Sequence, residues 1–186
     1  MCSGNGTNFQ NILTNPLCNT NEVVLMIHNT KQCGAVKRAA KYGVPHVRIP
    51  HKDEDRMIEM FKVWRVDLIV LAGYMRVLKN PSKFPAPIIN VHPSLLPKYK
   101  GLHAVEQALN SNDDVTGCTV HYVNEELDGG EIILQGEVPI LPNDDIVSLT
   151  KAIQRKEYAI LPLAIEHVKH ELQKQDSGHL LSHDIH

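Results

Sequence analysis

The chain has 186 residues, of which 42% are apolar and 22% are charged, and its formal net charge is −2. This composition is typical of one globular domain, and the near-neutral charge disfavours nucleic-acid binding. No apolar run approaches the roughly 20 residues that span a bilayer, and the N-terminus does not resemble a signal peptide. The four cysteines lack C-x-x-C spacing, which argues against zinc sites and disulfide frameworks. We therefore expect a cytoplasmic protein with no metal, no nucleic-acid partner and no membrane association.

Short apolar runs alternate with segments of helical periodicity over the first two thirds of the chain. This alternation predicts an α/β fold with a mostly parallel sheet flanked by helices. Two successive strands around Asp128-Gly129-Gly130 then predict an antiparallel pair, and a long helix follows that Pro162 breaks or kinks. In chain order we predict helices at 7–13, 34–42, 53–64 (with Asp53 as the N-cap), 103–109 and 146–174, and strands at 22–27, 47–49, 68–72, 88–92, 117–123 and 131–139.

No linker or internal repeat divides residues 1–174, so we expect one domain there, followed by a polar and flexible tail at 175–186. The glycine-rich run Ser3–Asn8 should follow a first strand, yet only Met1 and Cys2 precede it. We therefore expect this strand to be missing, or replaced by a neighbouring element. A missing interior strand would expose apolar faces and unpaired backbone groups and would lower stability.

The run Asn90-Val91-His92-Pro93 ends a predicted buried strand. Residues two apart in a strand point the same way, so Asn90 and His92 should project into one space, and Pro93 should end the strand. An amide donor beside an imidazole suits a carbonyl oxygen that gains negative charge. The pair predicts an acyl-transfer site without a nucleophilic Ser or Cys. The alternative for His92 is a buried histidine with a structural role.

Asp128 supplies a carboxylate that is able to pair with His92. The Asp-Gly dipeptide is also strong turn chemistry, so the sequence supports a catalytic residue and a simple turn residue equally at this position.

The run Ser3–Asn8 leads into the first predicted helix. Glycines allow backbone N–H groups to approach an anion, and the helix N-terminus favours negative charge. No Gly-Lys-Ser/Thr follows, so the run is not a nucleoside-triphosphate P-loop. A phosphate site and a capped turn are equally good interpretations.

Two other segments have an ordinary structural explanation beside a functional one. Met75, Val77 and Leu78 follow a buried strand and are suited to line an apolar slot for a flat heterocycle, or they form a loop that covers the core. Glu157 lies on the long predicted helix, where a glutamate is by default a solvated charge.

Five runs carry a family resemblance: Ser-Gly-Asn-Gly-Thr-Asn (3–8), Leu-Ala-Gly-Tyr-Met-Arg-Val-Leu (71–78), Asn-Val-His-Pro-Ser-Leu-Leu-Pro-Lys-Tyr (90–99), the segment 117–130, and Gln-Arg-Lys-Glu-Tyr-Ala-Ile-Leu-Pro (154–162). Through them the chain resembles the phosphoribosylglycinamide formyltransferase family, folate-dependent enzymes of purine biosynthesis. The resemblance runs from Cys2 to about Ile165. It implies a Rossmann-like domain and formyl transfer from 10-formyltetrahydrofolate, a co-substrate, to the amine of glycinamide ribonucleotide.

The resemblance also implies a role for individual residues. It assigns catalysis to Asn90, His92 and Asp128, and a cis peptide to Leu96–Pro97. It places the substrate phosphate and ribose at Gly6, Thr7 and Asn8, and the glycinamide end at Glu157. The implied folate contacts are Met75, Arg76, Val77, Leu78, Asn90, Asn124, Glu125, Glu126, Leu127 and Asp128. A basic residue for the folate tail is His51, Lys52 or Arg56.

Two functional alternatives stay open. A formyltetrahydrofolate deformylase uses a similar Asn-His-Asp set with water as the nucleophile, although that family has an extra N-terminal domain and lacks the loop at 4–8. A non-catalytic protein that binds folate or phosphate is the other, because of the missing first strand. A formyltransferase acting on methionyl-tRNA fits poorly, since such enzymes usually carry a basic C-terminal domain. We expect the partners to be small molecules and the chain to be a monomer or a homodimer.

Overall fold

A mixed sheet runs through the molecule in the computed structural model, which describes residues 1–181. Within this range the strands are β1 (Met26–His28), β2 (His46–Arg48), β3 (Ile69–Leu71), β4 (Ile88–His92), β5 (Val115–Tyr122) and β6 (Ile132–Pro139). Strand β1 pairs in parallel with β2, and β3 pairs in parallel with β4. Strands β4, β5 and β6 follow one another in antiparallel order. The predicted α/β class and the C-terminal antiparallel pair are confirmed.

Met1 and Cys2 lie between β1 and β3 and hydrogen-bond to both. The Cys2 N–H donates to the Ile27 carbonyl at 3.0 Å, and the Ala72 N–H donates to the Met1 carbonyl at 3.0 Å. Cys2 also forms a parallel bridge with His28. This short segment takes the position of the expected first strand and joins β1–β2 to the other four strands. Backbone hydrogen bonds to residues 1 and 2 therefore connect the pair β1–β2 with the strands β3 to β6.

The helices are α1 (Thr7–Thr14), α2 (Ala35–Lys41), α3 (Glu54–Val63), α4 (Ala104–Leu109) and α5 (Ile146–Leu181), with short 3₁₀ turns at Pro16–Cys18 and Pro81–Lys83. Leu149, Ile153 and Leu161 of α5 are fully buried and stand four and eight residues apart. This spacing places them on one face, which packs against β5, β6 and α1.

Several element boundaries differ from the prediction. Strand β1 starts at Met26, not Glu22, because a strand exists only where a partner pairs with it and β2 covers three residues. The Asp53 side chain does not cap α3. Helix α5 is continuous through Pro162 and extends past the predicted end at Lys174 to Leu181. Part of the predicted tail is therefore helical, and its last residues, 182–186, lie outside the described range.

Candidate active site

The end of β4 presents two polar side chains to the same side of the sheet. Asn90 pairs with His121 of β5 in the antiparallel register, and His92 pairs with Thr119. His92 is only 5% exposed, whereas Asn90 is half-buried. Because directly opposed residues of neighbouring strands share a face, the four side chains form one polar patch.

Asp128 completes this patch from the loop that joins β5 to β6. Its Oδ2 atom lies 3.5 Å from His92 Nδ1 and accepts a 2.7 Å hydrogen bond from the Gly101 N–H. Its Oδ1 atom lies 3.6 Å from His121 Nε2. Asp128 has a φ of 49°, in the left-handed region, which is costly for most residues and least so for Asn and Asp. The expected proximity of His92 and Asp128 is therefore observed.

His121 is a member of the cluster that the sequence did not reveal. Its Nδ1 lies 2.8 Å from the Tyr122 carbonyl and so carries a hydrogen, which leaves Nε2 to accept from the Asn90 amide at 3.3 Å. Burial is the main cause that lowers the pKa of His121 below its ordinary value. A neutral His121 thus orients the Asn90 amide. The only sequence signal was a histidine within an apolar strand.

His92 has an acceptor at each ring nitrogen. Its Nε2 lies 2.8 Å from the Tyr99 carbonyl, so this nitrogen carries a hydrogen. Its Nδ1 faces Asp128 at 3.5 Å, which is long for a charge-assisted hydrogen bond. Nδ1 is therefore the nitrogen that remains available to a third group in the site.

The glycine-rich loop contacts the start of α2 and the middle of α5. Gly6 precedes α1 with a φ of 70°, and a Cβ there would lie 2.5 Å from the Ala35 Cβ, so only glycine fits. Thr7 is exposed at the first turn of α1, where backbone N–H groups lack intrahelical partners. The Asn8 side chain, in contrast, turns inward and donates to Glu157 Oε2 at 2.9 Å. The Asn8 side chain is thus engaged with Glu157, and the donor that Asn8 presents at the start of α1 is its backbone N–H.

Glu157 is buried, not a solvated helix charge, since its side chain is only 7% exposed. Burial raises its pKa to about 7, although the hydrogen bond from Asn8 acts in the opposite direction. The Asn8 Oδ1 atom is buried without a hydrogen-bond partner. A polar and partly unsatisfied pair therefore joins the glycine-rich loop to α5.

We expect Glu157→Gln to stabilise the ligand-free protein at pH 8.5. The folded-state pKa of about 7 exceeds the ordinary value of 4.5, so the folded protein holds a proton that it loses as pH rises through 7. The resulting penalty is at most about 3 kcal/mol above pH 8 and fades toward pH 4.5. Denaturant unfolding at pH 5 and 8.5 measures it, with exposed Asp176→Asn on α5 as the control. Equal effects of Glu157→Gln at both pH values would contradict the shift.

The segment after β3 exposes two apolar side chains between two buried anchors. Met75 and Val77 are each 64% exposed, whereas Tyr74 and Leu78 are each 6% exposed and belong to the core. Exposed apolar side chains of this size are suited to contact a ligand. Arg76 is also exposed. Among the expected folate contacts in this segment, Leu78 is therefore the one whose side chain packs in the core.

A cavity of about 420 Å³ lies beside the start of β4. Its walls include Ile88, Val123, Asn124 and Glu125, together with the proline-rich segment from Pro81 to Pro87. Asn124 and Glu125 are expected folate contacts, but Met75 to Leu78 and the catalytic candidates do not line this cavity. Its mixed polar and apolar wall suits a heterocycle that bears hydrogen-bonding groups.

The loop after Pro93 is held against the Asp128 loop. Lys100 Nζ contacts Glu126 Oε1 at 2.8 Å, and a Cβ on Gly101 would meet Leu127 at 3.6 Å. Glu126 and Leu127 are both exposed.

The Leu96–Pro97 peptide is cis, as predicted. The three candidates for the basic residue at the folate tail lie around the start of α3. Lys52 and Arg56 are exposed, and His51 is half-buried.

No helix among residues 1–181 combines the length and the apolar character that crossing a bilayer requires. The same residues contain no group of three or more His, Cys, Asp or Glu side chains placed to hold a metal ion. All four cysteines are free and buried.

Comparison with known proteins identifies relatives over most of the chain. Residues 1–165 match the family model described as formyl transferase. The chain is 38% identical to phosphoribosylglycinamide formyltransferase of Haemophilus influenzae, over 89% of this chain and 84% of that protein. It is 41% identical to the trifunctional purine biosynthetic protein adenosine-3 of Drosophila melanogaster, over 89% of this chain but only 13% of that longer protein.

The fold is also similar to solved structures of these enzymes. The structure of phosphoribosylglycinamide formyltransferase from Campylobacter jejuni superposes with a TM-score of 0.83 at 36% sequence identity, and the match covers 90% of this chain and 94% of that one. The chain therefore belongs to the formyl transferase family and, within it, to the phosphoribosylglycinamide formyltransferases.

Proposed function

We propose that this protein transfers a formyl group from 10-formyltetrahydrofolate to the amine of glycinamide ribonucleotide, a step of purine biosynthesis. The observation that carries the proposal is the convergence of Asn90, His92 and Asp128 at one end of β4, with His92 Nδ1 3.5 Å from Asp128. A carboxamide, an imidazole and a carboxylate in one buried patch fit direct acyl transfer better than nucleophilic catalysis, because none of them is a Ser or Cys nucleophile.

In the proposed reaction, the substrate amine attacks the formyl carbon, and the carbonyl oxygen becomes an oxyanion. The Asn90 amide, oriented by His121, donates one hydrogen bond to that oxygen, and protonated His92 donates another through Nδ1. Asp128, through a water molecule, accepts the proton that the amine loses and helps to deliver it to the departing folate nitrogen. Collapse of the intermediate then releases tetrahydrofolate and the formylated amide without a covalent enzyme intermediate.

We further propose where the two substrates bind. The sugar phosphate would lie on the free N–H groups at the start of α1, beside Gly6 and Thr7, and the glycinamide end would lie near Glu157. The contact between Asn8 and Glu157 supports this arrangement, since Asn8 follows Thr7 in α1 and its side chain donates to Glu157 Oε2 at 2.9 Å, which links the two expected subsites. The folate would contact Met75 to Leu78 and the 124–128 loop, with its pterin directed to the cavity beside Ile88.

The test measures tetrahydrofolate production from 10-formyltetrahydrofolate, with and without glycinamide ribonucleotide. Formyl transfer predicts product only when the amine is present, in a 1:1 ratio with the formylated amide. Steady formate release at the same rate without the amine would identify a hydrolase instead. Binding of both compounds in calorimetry without turnover would identify a non-catalytic protein, and either result would reject the proposal.

A further inference from the structure

The exposed segment 75–77 is held at both ends by polar contacts from other parts of the chain. At its start, the Met75 N–H donates to Ser3 Oγ at 2.9 Å. Beyond its end, Glu54 accepts the Lys79 N–H at 2.6 Å through Oε1 and the Asn80 N–H at 3.1 Å through Oε2. The segment is therefore fixed without contributing a strand or a helix itself.

The carboxylate of Glu54 is unusual because it is buried. It is the first residue of α3 and only 7% exposed, although glutamates are rarely buried without a partner. Its two oxygens accept from two consecutive backbone N–H groups, and such charge-assisted hydrogen bonds are stronger than neutral ones. Burial raises the pKa of the Tyr74 hydroxyl to about 12, and the nearby Glu54 carboxylate adds to this effect.

We propose that Glu54 is a positioning residue that pre-orders the segment 75–77 for the formylfolate. The inference rests on the proposed function, because it takes Met75 to Leu78 as part of the folate site. A preformed segment binds its ligand better, since the cost of ordering the loop is met during folding instead of during binding. Glu54 itself contacts no substrate in this account and acts through the backbone of Lys79 and Asn80.

Glu54→Gln is the sharpest variant because it keeps the size of the side chain. The glutamine amide presents N–H groups to a backbone N–H, so one acceptor is lost and two donors face each other. We expect the KM for formylfolate to rise about tenfold, the loss expected for one buried charge-assisted hydrogen bond. We expect kcat and the KM for the amine substrate to stay within about twofold, because Glu54 contacts no reacting group.

The matched control is Asp55→Asn, which removes a carboxylate from the adjacent, exposed position in the same helical turn. It should leave both KM values unchanged. An unchanged formylfolate KM in a folded Glu54→Gln variant would overturn the proposal. An equal loss for both substrates would overturn it as well, because that result indicates a general structural role.

Amide hydrogen exchange in the unmodified protein tests the same idea without a variant that has to fold. The Lys79 and Asn80 amides belong to exposed residues, yet they should exchange slowly in the ligand-free protein because Glu54 holds them. Rapid exchange at both amides would contradict the proposal that Glu54 holds them. If the unmodified protein transfers no formyl group, the proposed function fails, and the exchange result still decides whether Glu54 holds the Lys79 and Asn80 amides next to the segment.

Discussion

Asp128→Asn is expected to lower kcat for formyl transfer by about 10²- to 10³-fold, within the usual range for loss of a general base. The asparagine side chain can still accept the Gly101 N–H and tolerates the left-handed backbone at this position. It cannot accept the proton that the attacking amine loses, nor can it balance the charge on His92. The fold should therefore remain intact while the chemical step slows.

The measurement for this variant is single-turnover formyl transfer, with thermal unfolding as the check on structure. The matched control is Glu131→Gln, which removes an exposed carboxylate three residues along the same connection. It should retain full activity. Near-normal turnover in Asp128→Asn would show that the carboxylate does not handle the proton, and proton transfer would then have to be assigned to another group.

Asn90→Ala is expected to reduce kcat by about 10²-fold or more, the usual cost of removing one oxyanion donor. The formylfolate KM should change less than threefold, because the lost hydrogen bond strengthens only as the oxygen gains charge. Removal of the amide also leaves His121 Nε2 without its donor at 3.3 Å. A destabilisation of roughly 1 kcal/mol follows from that unsatisfied acceptor.

Steady-state kinetics at saturating amine separates these effects. The control is Asn112→Ala, an exposed amide on the turn before β5, which should behave as the unmodified protein. A large rise in the formylfolate KM with unchanged kcat would mean that Asn90 binds the ground state and does not stabilise the transition state.

The fold and the centre of the site could be predicted because they depend on local patterns. Alternating apolar runs and helical periodicities predicted the sheet and its antiparallel end, and two-residue spacing in β4 predicted that Asn90 and His92 share a side. Their proximity to Asp128 was expected from the resemblance and could not be deduced from spacing, since His92 and Asp128 are 36 positions apart in the sequence.

His121 was missed because its role depends on register. It lies opposite Asn90 only because β4 and β5 pair antiparallel in one particular alignment, which no local pattern specifies. A shift by one residue would turn His121 to the other face of the sheet. Contacts of this kind become visible only when the strands are assembled.

Glu157 and the N-terminus illustrate two other limits. Glu157 lies midway between the buried Ile153 and Leu161 and so completes the four-residue spacing that starts at Leu149, a sign of burial that the charge of the residue obscured. At the N-terminus, Met1 and Cys2 take the position of the expected strand through a few backbone hydrogen bonds, which composition and periodicity do not report.

The most direct test is a structure of the ternary complex with glycinamide ribonucleotide and a non-transferable formylfolate analogue. The account predicts the formyl oxygen within about 2.7–3.1 Å of Asn90 Nδ2 and close to His92 Nδ1, with the amine nitrogen about 3–3.5 Å from the formyl carbon. A formyl group bound beyond hydrogen-bonding reach of both Asn90 and His92 would contradict the assignment of the active site.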